Sequence, residues 1–273
     1  MNGAAIGVFD SGLGGLTTVR QLHRLMPEER IIYFGDTGRV PYGSRSREIL
    51  RKYAQQDMAF LMHHQVKMVI AACGTVSSTS ADLGAQLPVP FTGIIEPAAR
   101  AAVQATRTGR IGVIATAATI ASEALPRAIR ALMPTADVRQ QACPLFVPLV
   151  EGGFTDPADP VTRMVAERYL APLRGAVDTL ILACTHYPII APIIGEVMGD
   201  GVTLIDSGAE TARHALRVLE SAGLRADPAA PGMRPESRNS EGFSTCSMPL
   251  CSMRKTPISL TEPKRFLAAR RMR

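Results

Sequence analysis

The chain has 273 residues, 46% of them hydrophobic and 20% charged, which is ample for a buried core and excludes general disorder and collagen-like or disulfide-framework classes. It has no apolar run long enough for a membrane span, no basic-then-apolar start resembling a signal peptide, and only five cysteines, so a cytoplasmic protein with reduced thiols is expected. The net charge of +6 sits entirely in residues 225–273, where ten Lys/Arg face four Asp/Glu, so the body carries no bias toward nucleic acid.

In chain order, nearly continuous apolar runs predict strands at Ala5–Phe9, Ile31–Phe34, Lys67–Cys73, Ile111–Ala115, Thr179–Cys184 and Val202–Ile205. Helical patterns fall between them at Ser46–His63, Ile120–Met133, Pro160–Leu173 and Gly208–Ser221. The first carries a stripe of Ile49, Leu50, Tyr53, Met58 and Leu61, and the last opens on a capping-box spacing, Ser207 to Glu210. Alternating strand and helix predicts an α/β fold with mainly parallel sheets. Residues 225–263 are rich in Pro, Ser, Met and Arg and lack periodicity, and Lys264–Arg273 has the makings of a short basic helix. Any contact with nucleic acid is expected only through this basic end.

The sequence repeats itself once. Gly7-Val8-Phe9-Asp10-Ser11 returns as Gly112-Val113-Ile114-Ala115-Thr116, and Val69-Ile70-Ala71-Ala72-Cys73-Gly74-Thr75 returns as Leu180-Ile181-Leu182-Ala183-Cys184-Thr185-His186. Two similar α/β domains facing each other across a cleft are therefore expected. The first would span 1–96 plus 208–224, and the second 97–207.

Cys73 and Cys184 end matched strands, where parallel sheets place their ligands. A lone cysteine is usually core filling, but two at equivalent positions of two halves would meet across the cleft. That is the arrangement a two-base proton transfer needs. Asp10 and His186 are the neighbouring acid and base candidates, with an N-cap or turn role open to Asp10 and that of a satisfied polar turn residue open to His186. Asp10-Ser11-Gly12-Leu13-Gly14-Gly15 follows a strand without being a nucleotide loop, and its amides would suit a small carboxylate. No Cys/His spacing suggests a metal site. Cys143, Cys246 and Cys251 lack counterparts and read as bystanders.

Gly7-Val8-Phe9-Asp10-Ser11-Gly12, Pro41-Tyr42-Gly43-Ser44, Ala72-Cys73-Gly74-Thr75, Glu151-Gly152-Gly153 and Ala183-Cys184-Thr185-His186-Tyr187-Pro188, in that order, resemble the signatures of the glutamate racemase family. The resemblance covers about residues 5–222. It implies a cofactor-independent interconversion of L- and D-glutamate that supplies D-glutamate for peptidoglycan, by a protein that is commonly a homodimer. By position, Cys73 would take the α-proton from D-glutamate and Cys184 from L-glutamate, assisted by Asp10 and His186 respectively. Ser11, Pro41, Tyr42, Gly43, Ser44, Gly74, Thr75, Thr116, Thr119, Glu151 and Thr185 would line the substrate site. Two departures stand out. Gly74 replaces the Asn of most members, which removes one side-chain contact to the amino acid. Residues from about Arg225 onward do not match the family's usual C-terminal strand and helix. A non-catalytic amino-acid-binding module and an aspartate racemase are the competing readings.

Overall fold

The computed structural model describes residues 3–227. The first half runs β1 (Ile6–Asp10), α1 (Leu16–Leu25), β2 (Ile31–Gly35), α2 (Arg47–His63), β3 (Met68–Ala71), α3 (Gly74–Gly84), β4 (Phe91–Gly93) and α4 (Ile95–Ala105). The second half runs β5 (Arg110–Ala115), α5 (Ala117–Ala121), α6 (Ala124–Leu132), β6 (Asp137–Ala142), α7 (Phe146–Glu151), α8 (Pro160–Leu170), β7 (Thr179–Leu182), a 3₁₀ turn (Tyr187–Ile190), α9 (Ala191–Met198), β8 (Thr203–Asp206) and α10 (Ser207–Ser221). The expectations for residues 228–273, including the basic helix and the nucleic-acid contact, lie outside the described residues. Among the described residues no helix is long and apolar enough to cross a membrane.

Among the described residues two four-stranded parallel sheets form, in the orders β2-β1-β3-β4 and β6-β5-β7-β8. The α/β class is as expected, and the repeat has a structural meaning: β1 matches β5 and β3 matches β7, the two central strands of each sheet. Those strands are buried on both faces, as their unbroken apolar runs require. After β8, α10 returns to pack against α1 and α4.

Several local expectations change. The strands before both cysteines stop two residues early, at Ala71 and Leu182, and Cys73 becomes the N-cap of α3. The helix expected at Ile120–Met133 splits into α5 and α6 at Glu123, which adopts φ +54°. The cap of α10 is Asp206, whose side chain accepts from Gly208 N and Ala209 N; Ser207 lies inside the helix and donates to Leu182 O at 2.7 Å. On α2, Ile49 is exposed and Asp57 takes a buried position beside Leu50, Met58 and Leu61. The sequence reading passed over β4, only three residues long, and β6, a polar edge strand.

The end of the described chain is fastened to the first half by a buried ion pair, Lys67 Nζ to Glu29 Oε2 at 2.6 Å. Lys67 also donates to Leu224 O at 2.7 Å, and Glu29 Oε1 accepts from Ala226 N at 2.8 Å. Lys67→Met leaves the Glu29 carboxylate buried without its cation. The expected loss is about 3–5 kcal/mol, seen as a fall in Tm of roughly 10 °C by calorimetry. An unchanged Tm would mean that Glu29 finds water or another donor.

Candidate active site

The C-terminal ends of the four central strands deliver the chemistry-bearing residues. β1 runs into Asp10–Gly15, β3 into Cys73–Thr75, β5 into Thr116–Thr119 and β7 into Cys184–His186. This is the edge where helix N-termini leave backbone N–H groups unpaired within the helix. A cavity of about 460 Å³ lies there, a size suited to a small molecule. Ser11, Pro41, Tyr42, Gly43, Ser44, Cys73, Gly74 and Thr75 line it from the first half; Thr116, Glu151, Cys184, Thr185 and His186 line it from the second. Two of the expected site residues, Asp10 and Thr119, are buried behind the wall.

Each half contributes one thiol. Cys73 Sγ lies 3.6 Å from Ser11 Oγ, and Cys184 Sγ lies 3.8 Å from His186 Nδ1. Burial pushes the Cys73 thiol up to about 11, and the Asp10 carboxylate adds to the rise. Cys184 is also pushed up, first by burial and then by the charges of Cys73, Asp10 and Cys143. Burial therefore favours the thiol over the thiolate at both sulfurs, and forming a thiolate needs local help. The consequence is measurable. Alkylation of Cys73 by iodoacetamide, mapped by mass spectrometry, is expected to rise about tenfold per pH unit from pH 7 to 10. A rate that levels off below pH 8 would show a thiolate already formed. Cys143 is buried away from the cavity lining and is likewise raised, to about 12, by burial.

His186 stands between Cys184 and Glu151. Its Nε2 is 3.1 Å from Glu151 Oε1, and its Nδ1 is 3.5 Å from Thr185 Oγ1. The carboxylate assigns the proton to Nε2, which leaves the Nδ1 lone pair facing the Cys184 thiol. Asp10 is engaged differently. Its Oδ2 accepts from Gly12 N and Gly15 N, each at 3.1 Å, and its Oδ1 accepts from Thr185 Oγ1 at 3.4 Å. Two amides of the glycine loop are thus committed to Asp10, and the loop is not the open carboxylate cradle its composition suggested. Burial raises the Asp10 carboxyl above its ordinary value, against the lowering by those amides and by His186. Gly14 is required for contact between halves: a Cβ there would meet Thr185 Oγ1 at 2.4 Å and His186 Nδ1 at 2.6 Å.

Three hydroxyls join the halves beside the thiols. Thr116 Oγ1 lies 3.0 Å from both Thr75 Oγ1 and Thr119 Oγ1, so Thr119 supports Thr116 from behind. Among the described residues the cavity lining contains no Lys or Arg, and anionic groups within it would be met by hydroxyls and by the N-terminus of α3. The sequence reading, which placed Gly12 in the glycine loop, missed Val40, Ala117, Pro144, Val147, Pro148 and Ala183. Val40, Ala117 and Ala183 adjoin residues it did name. Nothing in the sequence marks Pro144, Val147 and Pro148, which carry no reactive group. Among the described residues no three His, Cys, Asp or Glu side chains gather as a metal-holding group.

A family model described as Asp/Glu/Hydantoin racemase matches residues 15–215. A glutamate racemase of Chlorobaculum tepidum is 51% identical over 222 residues, covering 80% of this chain and 81% of that protein. Glutamate racemase isoform RacE1 of Bacillus anthracis superposes with a TM-score of 0.80 at 38% identity, covering 83% of this chain and 85% of that one. A glutamate racemase of Francisella tularensis, solved in complex with D-glutamate, gives a TM-score of 0.78 at 36% identity, with 84% and 86% covered.

Proposed function

This chain belongs to the Asp/Glu/Hydantoin racemase family and is an amino-acid racemase; from that premise we propose that it interconverts L- and D-glutamate by a two-cysteine proton transfer without added cofactor. The observation that carries the reading is the pair of thiols, one from each half, in the wall of a single cavity. The similarity to glutamate racemases over four-fifths of the chain supports glutamate as the substrate.

In the D-to-L direction the Cys73 thiol first gives its proton to solvent, and the thiolate so formed takes the α-proton of D-glutamate and becomes a thiol again. The electron pair left on Cα delocalises into the α-carboxylate. The Cys184 thiol then gives its proton to the opposite face of Cα, which yields L-glutamate and leaves Cys184 as thiolate. The reverse direction exchanges the two roles. Repeated turnover in one direction also needs the two sulfurs to return to their starting protonation by exchange with solvent. Hydroxyls of Thr75, Thr116 and Thr185 and the amides opening α3 would stabilise the charge developing on the carboxylate. On the Cys184 side, Nδ1 of His186 accepts the thiol proton as Glu151 holds the ring, so the thiolate can form despite burial. Asp10 holds the loop carrying Ser11, the partner of Cys73, and its negative charge opposes early ionisation of both thiols.

The same reading assigns 1–96 with 208–224 to one domain and 97–207 to the other, the two closing over the substrate. Its biological setting would be the cytoplasm, as a homodimer supplying D-glutamate for peptidoglycan. The deciding experiment is incubation with L-glutamate, and separately D-glutamate, in D2O, following optical rotation and deuterium at Cα. Inversion with deuterium uptake is expected. Binding without exchange would instead identify a non-catalytic module, and exchange of aspartate alone would move the substrate.

A further inference from the structure

One group of charges, with its carboxylates buried and its guanidinium partly exposed, takes no part in the proton transfer. The Tyr42 hydroxyl donates to Asp36 and lies 3.2 Å from Asp57 Oδ2. Arg39 completes the group, 2.5 Å from Asp36 and 2.8 Å from Asp57, with its guanidinium 4.3 Å over the Tyr53 ring. A phenol has one proton and can satisfy one carboxylate; the guanidinium supplies the donors for the other. Tyr42 belongs to the Pro41–Ser44 loop that lines the cavity, yet its hydroxyl is committed to these carboxylates. The loop also reaches the second half. Gly43 O accepts from Ala118 N of α5 at 3.2 Å, and a Cβ on Gly43 would come within 3.1 Å of Thr116 Cβ.

We propose that Asp36, Arg39 and Asp57 are positioning residues: through the Tyr42 hydroxyl they hold the Pro41–Ser44 loop against the cavity and against α5, and so set how tightly substrate is bound. The assignment rests on the glutamate racemase reading for its kinetic readout. A purely structural role explains the group poorly, because two carboxylates buried together oppose one another. Burial first, and then Asp36, push the Asp57 carboxyl up to about 7. Apolar side chains of similar size would pack there at less cost. What they would lack is a directional hold on the hydroxyl, and with it on the loop backbone.

The test compares Asp57→Ala, Asp57→Asn and Tyr42→Phe with the wild-type chain. Arg51→Ala serves as a control for general loosening of α2, since Arg51 pairs with Asp82 of α3 instead. Two quantities are measured: KM and kcat for glutamate, and hydrogen exchange of the Ala118 amide in ligand-free protein. Asp57→Ala is expected to raise KM about tenfold with kcat little changed and to speed Ala118 exchange by a similar factor. Asp57→Asn, which keeps an acceptor and resembles the protonated carboxyl, restores both. Tyr42→Phe keeps the ring and reproduces the loss, so it decides the matter even where Asp57→Ala does not fold. Wild-type KM and exchange in Tyr42→Phe overturn the proposal, as does an equal effect of Arg51→Ala or a fall in kcat at constant KM. A wild-type chain that does not racemise glutamate refutes the functional reading, and the exchange measurement still decides the loop anchor.

Discussion

Cys73→Ser and Cys184→Ser are each expected to lower racemisation in both directions by at least about 10³-fold, the scale of a lost general acid or base. The two thiols stand in one cavity, one from each half, and inversion at Cα needs a proton removed on one face and delivered on the other. A serine hydroxyl keeps the shape of either position but is far too weak an acid to take over the exchange. Both thiols are buried and both are raised by burial, so neither can stand in for the other by drifting into solvent. Polarimetry with either enantiomer reads the loss, and circular dichroism with Tm verifies that the variants fold. Full activity in either single variant would defeat the two-base scheme and leave one thiol as core filling.

The second large effect is expected at a position with no side chain. Gly74 follows Cys73 and Ala183 precedes Cys184, and the two backbones touch: a Cβ on Gly74 would lie 2.3 Å from Ala183 O. It would also lie 3.3 Å from Ile94 Cδ1. This contact fixes the distance between the chain segments that carry the two thiols. Gly74→Ala requires the Ala183 carbonyl, and Cys184 beside it, to move away by about 1 Å. A displacement of that size is expected to cost about 10²-fold in kcat/KM. Forcing that backbone contact apart is expected to cost stability as well, about 1–3 kcal/mol for an overpacked site. Kinetics in both directions beside a melting curve separate the two effects. Wild-type kcat/KM in Gly74→Ala would show that the halves part without consequence for the chemistry. The sequence marked Gly74 as a missing Asn contact; the fold adds that in this chain the Gly74 backbone sits directly against the Ala183 carbonyl.

Residues 5–222 announced much of this protein because the strongest signals are contiguous. β1, β3, β5 and β7 are central strands, so their burial is written as unbroken apolar runs, and the repeat between them predicted two similar α/β halves. The same strands end in the short motifs around Asp10, Cys73, Thr116 and Cys184, so most of the cavity lining was legible too. Where a strand lies at an edge, as β6 does, it needs no apolar run and left no such mark. Asp57 was lost for a related reason: a carboxylate in a helix normally faces water, and only the loop that brings Asp36, Arg39 and Tyr42 to it explains its burial. Sequence by itself determined the fold class, the two cysteines and their neighbours, because those follow from local pattern and motif. Tertiary structure alone decided that Asp10 serves backbone amides, that Glu151 reaches His186, and that Gly74 abuts Ala183. Each of these is a contact between side chain or backbone atoms brought together by packing, and nothing in the spacing of residues along a chain encodes a distance between two halves.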